Sequence, residues 1–145
     1  MNEPTSSTSS TSQPVVTSAK RVPAGAIQHS TAGPYSPVLE IQADRLVVIS
    51  GQVALDLQGN MVGDTIEEQT RATLANCRRL LESAGCTFED VYKVNAFMAN
   101  LDEWDRFNAA YMEIMPEPRP VRTTVGVKLL RSFLIEIEMW AAKRA

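Results

Sequence analysis

The sequence predicts an α+β fold in which a single mixed β-sheet carries two helices on one face. Three observations predict it: short apolar runs rich in β-branched residues, two stretches with apolar residues at helical spacing, and the order ββαβαββ. A length of 145 residues with 44% apolar residues is typical of one globular domain. We place that domain at residues 25–145, after a Ser/Thr-rich tail, residues 1–24, whose composition predicts disorder.

The first half of the domain contains two predicted strands and a helix. Val38–Gln42 and Arg45–Ser50 have strand length, and the second is a near-continuous apolar run, which suggests burial on both faces. Thr65 and Glu68 then form a capping box, a signature of a helix N-terminus. Apolar residues follow at helical spacing until Gly85, where we expect the helix to end.

The second half repeats the alternation of strand and helix and then adds two strands. Val91–Ala99 is the next predicted strand, and a second helix runs from about Asp102 to Met115, with apolar residues on one face. Pro116 ends this helix and begins a proline-rich linker that must be extended. Arg122–Lys128 and Leu134–Ala142 are the last two predicted strands.

The last strand has two chemically different faces. Ile135, Ile137 and Met139 alternate with Glu136 and Glu138, so one face is apolar and the other acidic. Two helices cannot cover both faces of a sheet, and an apolar-rich sheet with an open face is an association surface. We therefore expect an oligomer with one of the two glutamates near a subunit interface.

Composition argues against several classes of protein. A net charge of −3 lacks the basic excess of a dedicated nucleic-acid binder, so RNA is an improbable partner. Two cysteines without a CxxC motif and a single histidine provide no Cys/His metal site. The sequence has neither an apolar run of membrane-spanning length nor a secretory signal, and the tail lacks the arginines of a mitochondrial presequence. We expect a cytoplasmic protein that does not contact a membrane.

Arg122 is an unusual residue at the start of a strand that otherwise reads as buried. A guanidinium keeps its charge, so it must reach water or an anion. One interpretation is an ion pair with Glu136 or Glu138 across neighbouring strands. The other is that Arg122 binds an anionic ligand, because its fork of donors fits a carboxylate.

Several short motifs together resemble one known family. GPYS (33–36), VISGQV (48–53), PVRTTV (120–125) and IEIE (135–138) agree in order and spacing with the RidA family, also called YjgF/YER057c/UK114. The resemblance covers the chain from about Gly33 to its C-terminus. It implies a fold like that of chorismate mutase and a homotrimer with active sites between subunits. It also implies hydrolysis of enamines and imines such as 2-aminoacrylate to 2-oxo acids and ammonia, without a metal or cofactor.

The resemblance also implies roles for individual residues. Arg122 matches the arginine that binds the substrate carboxylate, and Glu136 matches the glutamate associated with the attacking water. Spacing alone leaves Glu136 ambiguous with Glu138, because the link before the last strand is about one residue short. The other pocket positions carried over are Tyr35, Ser50, Gly51, Asn108 and Thr124.

Simpler interpretations stay open for these residues and for the function. Tyr35 could be a core residue, Asn108 a surface or capping amide, Thr124 an ordinary strand residue and Glu136 an interface ion-pair partner. His29 is expected to be a solvated tail residue.

Pro37 and Gly126 depart from the family pattern, so a deaminase specialised for aminomuconate-like or other larger imines is an alternative. Two further alternatives are a non-catalytic trimer that binds small carboxylates, with chaperone-like roles, and an endoribonuclease-like relative.

Overall fold

The computed structural model describes residues 18–145, and its main feature is one four-stranded mixed sheet with two helices. A separate two-stranded antiparallel ribbon precedes it. The elements in chain order are β1 (Lys20–Arg21), β2 (Glu40–Ile41), β3 (Arg45–Gln52), α1 (Ile66–Ser83), β4 (Val91–Met98), α2 (Trp104–Ile114), β5 (Val121–Gly126) and β6 (Ile135–Lys143).

The strand order in the sheet is β3-β6-β4-β5. The long C-terminal strand β6 pairs antiparallel with both β3 and β4, whereas β5 pairs parallel with β4. A parallel pair requires a crossover, and α2 provides it between β4 and β5. The predicted α+β class and mixed sheet are therefore confirmed, and β5 is an edge strand.

Helix α1 begins and ends where the sequence predicts. The Thr65 side chain accepts from the Glu68 backbone N–H, and the Glu68 carboxylate accepts in return from the Thr65 N–H, which completes the capping box. Gly85, after the helix, has a positive φ of 72°, a conformation that glycine adopts without a steric penalty. Among residues 18–145, no helix is both long enough and apolar enough to cross a membrane.

The core lies between the helices and one face of the sheet. Along β6, Ile135, Ile137 and Met139 are fully buried, while Glu136 and Glu138 on the other face are partly exposed. The predicted alternation is therefore confirmed. Phe107 and Tyr111 of α2 are also fully buried and belong to the same apolar cluster.

Strand β3 differs from the prediction of burial on both faces. Leu46 and Val48 are each 61% exposed, and Val48 lies opposite Trp140 on the face of the sheet that no helix covers. The apolar run is therefore half-buried in the single chain, because both helices lie on the other face. The expected trimer stays a prediction, and a partner subunit on this face would explain the apolar residues there.

The N-terminal boundary is earlier than the sequence predicts. Residues 1–17 of the predicted disordered tail lie outside the described residues, but Lys20–Arg21 already forms β1. Lys20 is buried, and its Nζ donates to the Val91 carbonyl at 2.7 Å and the Pro118 carbonyl at 2.8 Å. The tail prediction is therefore wrong for this segment. The predicted strand Val38–Gln42 is reduced to β2, which pairs with β1 rather than with the main sheet.

Candidate active site

Arg122 lies on edge strand β5 with its side chain on the helix-covered face of the sheet. It is in register with Val94, a fully buried core residue of β4, and partners across a strand pair point to the same face. Its guanidinium carbon is 4.8 Å from the centre of the Tyr111 ring, 5.2 Å from that of Phe107 and 5.4 Å from that of Tyr35. Three aromatic rings thus surround the cation at cation–π distance.

Only part of the Arg122 guanidinium forms hydrogen bonds. Nη2 donates to Asn108 Oδ1 at 2.7 Å, whereas Nε and Nη1 are buried without a hydrogen-bond partner among the described residues. Burial lowers the pKa of the guanidinium below its ordinary value, although the neighbouring Tyr111 and Tyr35 act in the opposite direction. No carboxylate of residues 18–145 is within ion-pair distance of it.

The ion pair between Arg122 and Glu136 or Glu138 is therefore absent from the described chain. Glu136 is in register with Phe97 and Glu138 with Asn95, both on the open face of the sheet. Because Arg122 points to the opposite face, the sheet itself separates the charges. This leaves a partly desolvated cation that has no anionic partner among residues 18–145.

Helix α2 and the GPYS segment position the groups around the guanidinium. Phe107, Asn108 and Tyr111 lie on the buried side of α2, and Asn108 is only 7% exposed, so it is neither a surface amide nor a helix cap. Ser36 N–H donates to the Pro120 carbonyl at 3.2 Å, and its hydroxyl donates to the Arg119 carbonyl. These bonds join the segment carrying Tyr35 to the entrance of β5.

A pocket of about 490 Å³ opens in front of Arg122. Its walls come from the segment before GPYS, from the GPYS segment itself and from the N-terminal ends of β4 and β5. The lining residues are Ile27, Gln28, His29, Tyr35, Ser36, Pro37, Lys93, Val121, Arg122 and Thr123. His29 is exposed, as expected, but it belongs to a pocket wall rather than to a tail.

Thr124 shares the face of Arg122. It is in register with Ala96, a fully buried residue of β4, and its Oγ1 is buried without a hydrogen-bond partner among residues 18–145. The structure therefore brings Tyr35, Asn108 and Arg122 into contact and places Thr124 two residues further along the same strand.

The remaining predicted site residues form a second group on the other face. Ser50 and Gly51 lie at a register shift between β3 and β6, and Gly51 packs directly against Glu136. A Cβ at position 51 would collide with the Glu136 carboxylate, so glycine permits this approach. The carboxylate of Glu138 instead accepts from Asn95 Nδ2 at 3.0 Å. Of the two glutamates, Glu136 is the one beside the Ser50–Gly51 segment.

Some residues around Arg122 and its pocket have no functional signal in the sequence. Phe107 and Tyr111 follow the helical spacing of core residues, and they are core residues that also enclose the cation. Lys93 has no distinguishing sequence signal, because its place in the pocket lining depends on the pairing of β4 with β5. Among residues 18–145, no group of three or more His, Cys, Asp or Glu side chains is arranged to hold a metal ion.

Comparison with known proteins identifies the family. The sequence model of the family described as Endoribonuclease L-PSP matches residues 26–143. The chain belongs to this family, the YjgF/RidA family. It is 37% identical to the mitochondrial protein mmf2 of Schizosaccharomyces pombe, over 85% of the chain and 98% of that protein.

Two further relatives connect the family to deaminases and to the observed fold. The 2-iminobutanoate/2-iminopropanoate deaminase of Mus musculus is 34% identical, over 77% of this chain and 82% of that protein. The crystal structure of YyfB of Yersinia pestis, from the conserved Rid protein family, is 29% identical with a TM-score of 0.68, over 86% and 98% of the two chains.

Proposed function

We propose that this protein is an enamine/imine deaminase that hydrolyses 2-aminoacrylate-type enamines and imines to 2-oxo acids and ammonia. The observation that carries the proposal is Arg122, a partly buried guanidinium that lines a pocket. Its Nε and Nη1 have no hydrogen-bond partner, and no carboxylate pairs with it among residues 18–145. A cation in this condition favours an anionic ligand, and a carboxylate fits a guanidinium geometrically. The similarity to proteins named 2-iminobutanoate/2-iminopropanoate deaminase gives the chemistry.

The reaction needs orientation and a positioned water rather than strong activation. The enamine tautomerises to the imine, whose carbon next to the carboxylate is electrophilic. Water adds to this carbon, the C–N bond breaks, and a 2-oxo acid and ammonium leave, so one water is consumed for each ammonium released. Arg122 holds the carboxylate, while Asn108 and the Tyr35 ring fix the guanidinium. The imine already reacts with water, so this sequence of steps calls for no metal or cofactor.

Glu136 supplies the carboxylate that positions the attacking water in this mechanism. It lies on the opposite face of the sheet from Arg122, so the two cannot act on one substrate within a single chain. We therefore assign each active site to two subunits of a homotrimer, with Arg122 from one and the Ser50, Gly51 and Glu136 group from its neighbour. Leu46 and Val48, exposed on the same face as Glu136, support a subunit contact there.

The alternatives differ in what they require of the site. An imine larger than 2-aminoacrylate would use the same two groups, and the pocket has room for one. A non-catalytic carboxylate-binding protein would need Arg122 but not Glu136. RNA cleavage, which the family description names, usually relies on paired acid–base groups, and His29 is the single histidine of the chain.

The cytoplasm is our proposed compartment, although relatives in Schizosaccharomyces pombe are named as mitochondrial proteins. A fluorescent fusion at the C-terminus of the full chain would decide between the two compartments. Diffuse signal supports the cytoplasm, whereas overlap with a mitochondrial marker contradicts it.

The test of function is suppression of semicarbazide trapping when an amino-acid dehydratase generates 2-aminoacrylate. Wild type is expected to suppress trapping, and Arg122→Ala is expected to lose at least about tenfold in kcat/KM, since a charge-assisted hydrogen bond is worth about 1.5–3 kcal/mol. Arg71→Ala is the matched control, because Arg71 pairs with Glu113 on the helical surface, away from the pocket. If wild type leaves trapping unchanged while it remains folded, the deaminase proposal fails.

A further inference from the structure

The linker before β5, residues 116–120, has few backbone donors with which to fix its own position. Pro116, Pro118 and Pro120 have no N–H. The pairing of β5 with β4 begins only at Val121, after the linker. The linker can therefore accept hydrogen bonds along its length, but the donors must come from other parts of the chain.

Three consecutive carbonyls of this linker accept hydrogen bonds from two residues of the N-terminal segment. Lys20 Nζ donates to the Pro118 carbonyl at 2.8 Å. The Ser36 hydroxyl donates to the Arg119 carbonyl, and the Ser36 N–H donates to the Pro120 carbonyl at 3.2 Å. Lys20 and Ser36 thus hold the linker as far as the residue before β5.

Lys20 also connects the linker to the neighbouring strand. Its Nζ donates to the carbonyl of Val91 at 2.7 Å, and Val91 is the first residue of β4. One ammonium group therefore bridges the start of β4 and the entrance of β5. The register of these two parallel strands places Arg122 opposite the buried Val94.

The register at this end of β5 decides where the Arg122 guanidinium lies. Within the described chain, β5 pairs on one side only, and a parallel pair is slightly less stable per residue than an antiparallel one. A shift of one residue turns every side chain of a strand to the opposite face. Such a shift would remove Arg122 from Asn108 and from its three aromatic neighbours.

The burial of Lys20 is costly, because lysine is almost never fully buried without a partner. Lys20 is 6% exposed, and no carboxylate among residues 18–145 forms an ion pair with it. Burial lowers the pKa of Lys20, and the nearby Asp90 and Glu89 oppose this only in part. An apolar side chain would fill the space without this cost, so the two hydrogen bonds to carbonyls are what a lysine adds here.

We propose that Lys20 is a positioning residue for Arg122. It joins the start of β4 to the linker before β5 and so fixes the place of the guanidinium. Lys20 does not line the Arg122 pocket and acts only through the backbone. The consequence for carboxylate binding rests on the proposed function, whereas the positioning of the guanidinium does not.

The experiment follows the NMR signal of the Arg122 Nε–H in the full chain, together with the Kd for 2-oxobutanoate. The signal is identified by its loss in Arg122→Met. In Lys20→Met the signal should shift or broaden. The Kd should rise by about threefold to tenfold, because a displaced guanidinium loses part of a charge-assisted hydrogen bond.

Ser36→Ala provides a second variant of the same linker. It removes the hydroxyl that donates to the Arg119 carbonyl, so the Arg122 signal should change as it does in Lys20→Met. If Lys20→Met does not fold, Ser36→Ala decides the test. An unchanged Arg122 signal would then overturn the proposal.

Thr65→Ala is the matched control, because the loss of the α1 N-cap also destabilises the protein but does not touch the linker. It should keep the wild-type signal and Kd. An unchanged Arg122 signal in folded Lys20→Met would overturn the proposal, as would a changed signal with an unchanged Kd. Equal changes in Thr65→Ala would also overturn it, since they would indicate a general effect of lower stability.

The two measurements distinguish failure of this proposal from failure of the proposed function. If wild type does not bind 2-oxobutanoate, the carboxylate-binding role of Arg122 fails. The Arg122 signal in Lys20→Met then decides by itself whether Lys20 positions the guanidinium.

Discussion

Replacing Arg122 by methionine should lower the free energy of unfolding by no more than about 2 kcal/mol, while abolishing the activity. Methionine has a similar length and no charge, so it can fill the space between the aromatic rings without a buried donor. An arginine present for structural reasons would give a larger loss, because its removal would destabilise the fold. The variant therefore separates an anion-binding role from a structural one.

The expected magnitude follows from the contacts of Arg122. Its two buried nitrogens without partners each cost about 1–3 kcal/mol, with the lower value appropriate beside an open pocket. The three aromatic contacts offset about 0.5–1 kcal/mol each. The bond to Asn108 contributes about 1 kcal/mol more, which the variant loses. With the lower value, the two nitrogens cost about 2 kcal/mol against about 2.5–4 kcal/mol from the contacts, so Arg122→Met is expected to lose no more than about 2 kcal/mol.

Urea unfolding at one fixed protein concentration measures this balance, since an oligomer's apparent stability depends on concentration. Adding a 2-oxo acid at saturating concentration should raise the urea midpoint of wild type and leave that of Arg122→Met unchanged. A loss of more than about 2 kcal/mol in the ligand-free variant would refute the reasoning. It would mean that Arg122 stabilises the fold through contacts with its aromatic neighbours.

Two other residues give predictions of their own. Gly51→Ala should displace the Glu136 carboxylate and lower kcat by about tenfold or more. The stability should change little, because a flexible glutamate side chain can move aside. An unchanged kcat would exclude Glu136 from the reaction. Burial lowers the pKa of Lys20 from an ordinary value of 10.5 to about 8. Between these two pH values the unfolded chain keeps the Lys20 proton and the folded chain loses it. The free energy of unfolding should therefore rise as the pH increases from about 8 to 10.5. Lys20→Met should lack this rise. It should also be less stable by about 1–3 kcal/mol, because the Val91 and Pro118 carbonyls lose their donor. The same pH dependence in wild type and Lys20→Met would contradict the assignment of the rise to Lys20.

The parts of the fold that local chemistry determines could be predicted from the sequence. The capping box at Thr65 and the glycine at position 85 fixed both ends of α1, because backbone donors and a positive φ must be satisfied locally. The alternation in β6 predicted its buried and open faces for a similar reason, since side chains alternate along any strand. These features depend on residues close together in the chain.

The features that depend on distant pairing could not be predicted. The apolar composition of β3 is compatible with burial by a helix or by another subunit, and only the position of the helices shows that Leu46 and Val48 lack cover within the chain. The face on which Arg122 lies depends on its register with Val94, which no local pattern specifies. The role of Lys20 likewise depends on carbonyls about 70 and 100 residues away in sequence.

The sheet separates Arg122 from Glu136, so the proposed mechanism assigns carboxylate binding and water positioning to different faces of the fold. Arg122, the group proposed to bind the carboxylate, contacts Asn108 and Tyr35 within one chain. Glu136 lies on the opposite face, and in the proposed mechanism it reaches a substrate in a neighbouring subunit's pocket. If the proposed assembly is correct, a dissociated chain would bind carboxylates without hydrolysing imines. The dissociated chain would then be a carboxylate-binding protein and the assembled trimer an imine hydrolase. A binding measurement alone cannot distinguish these two states.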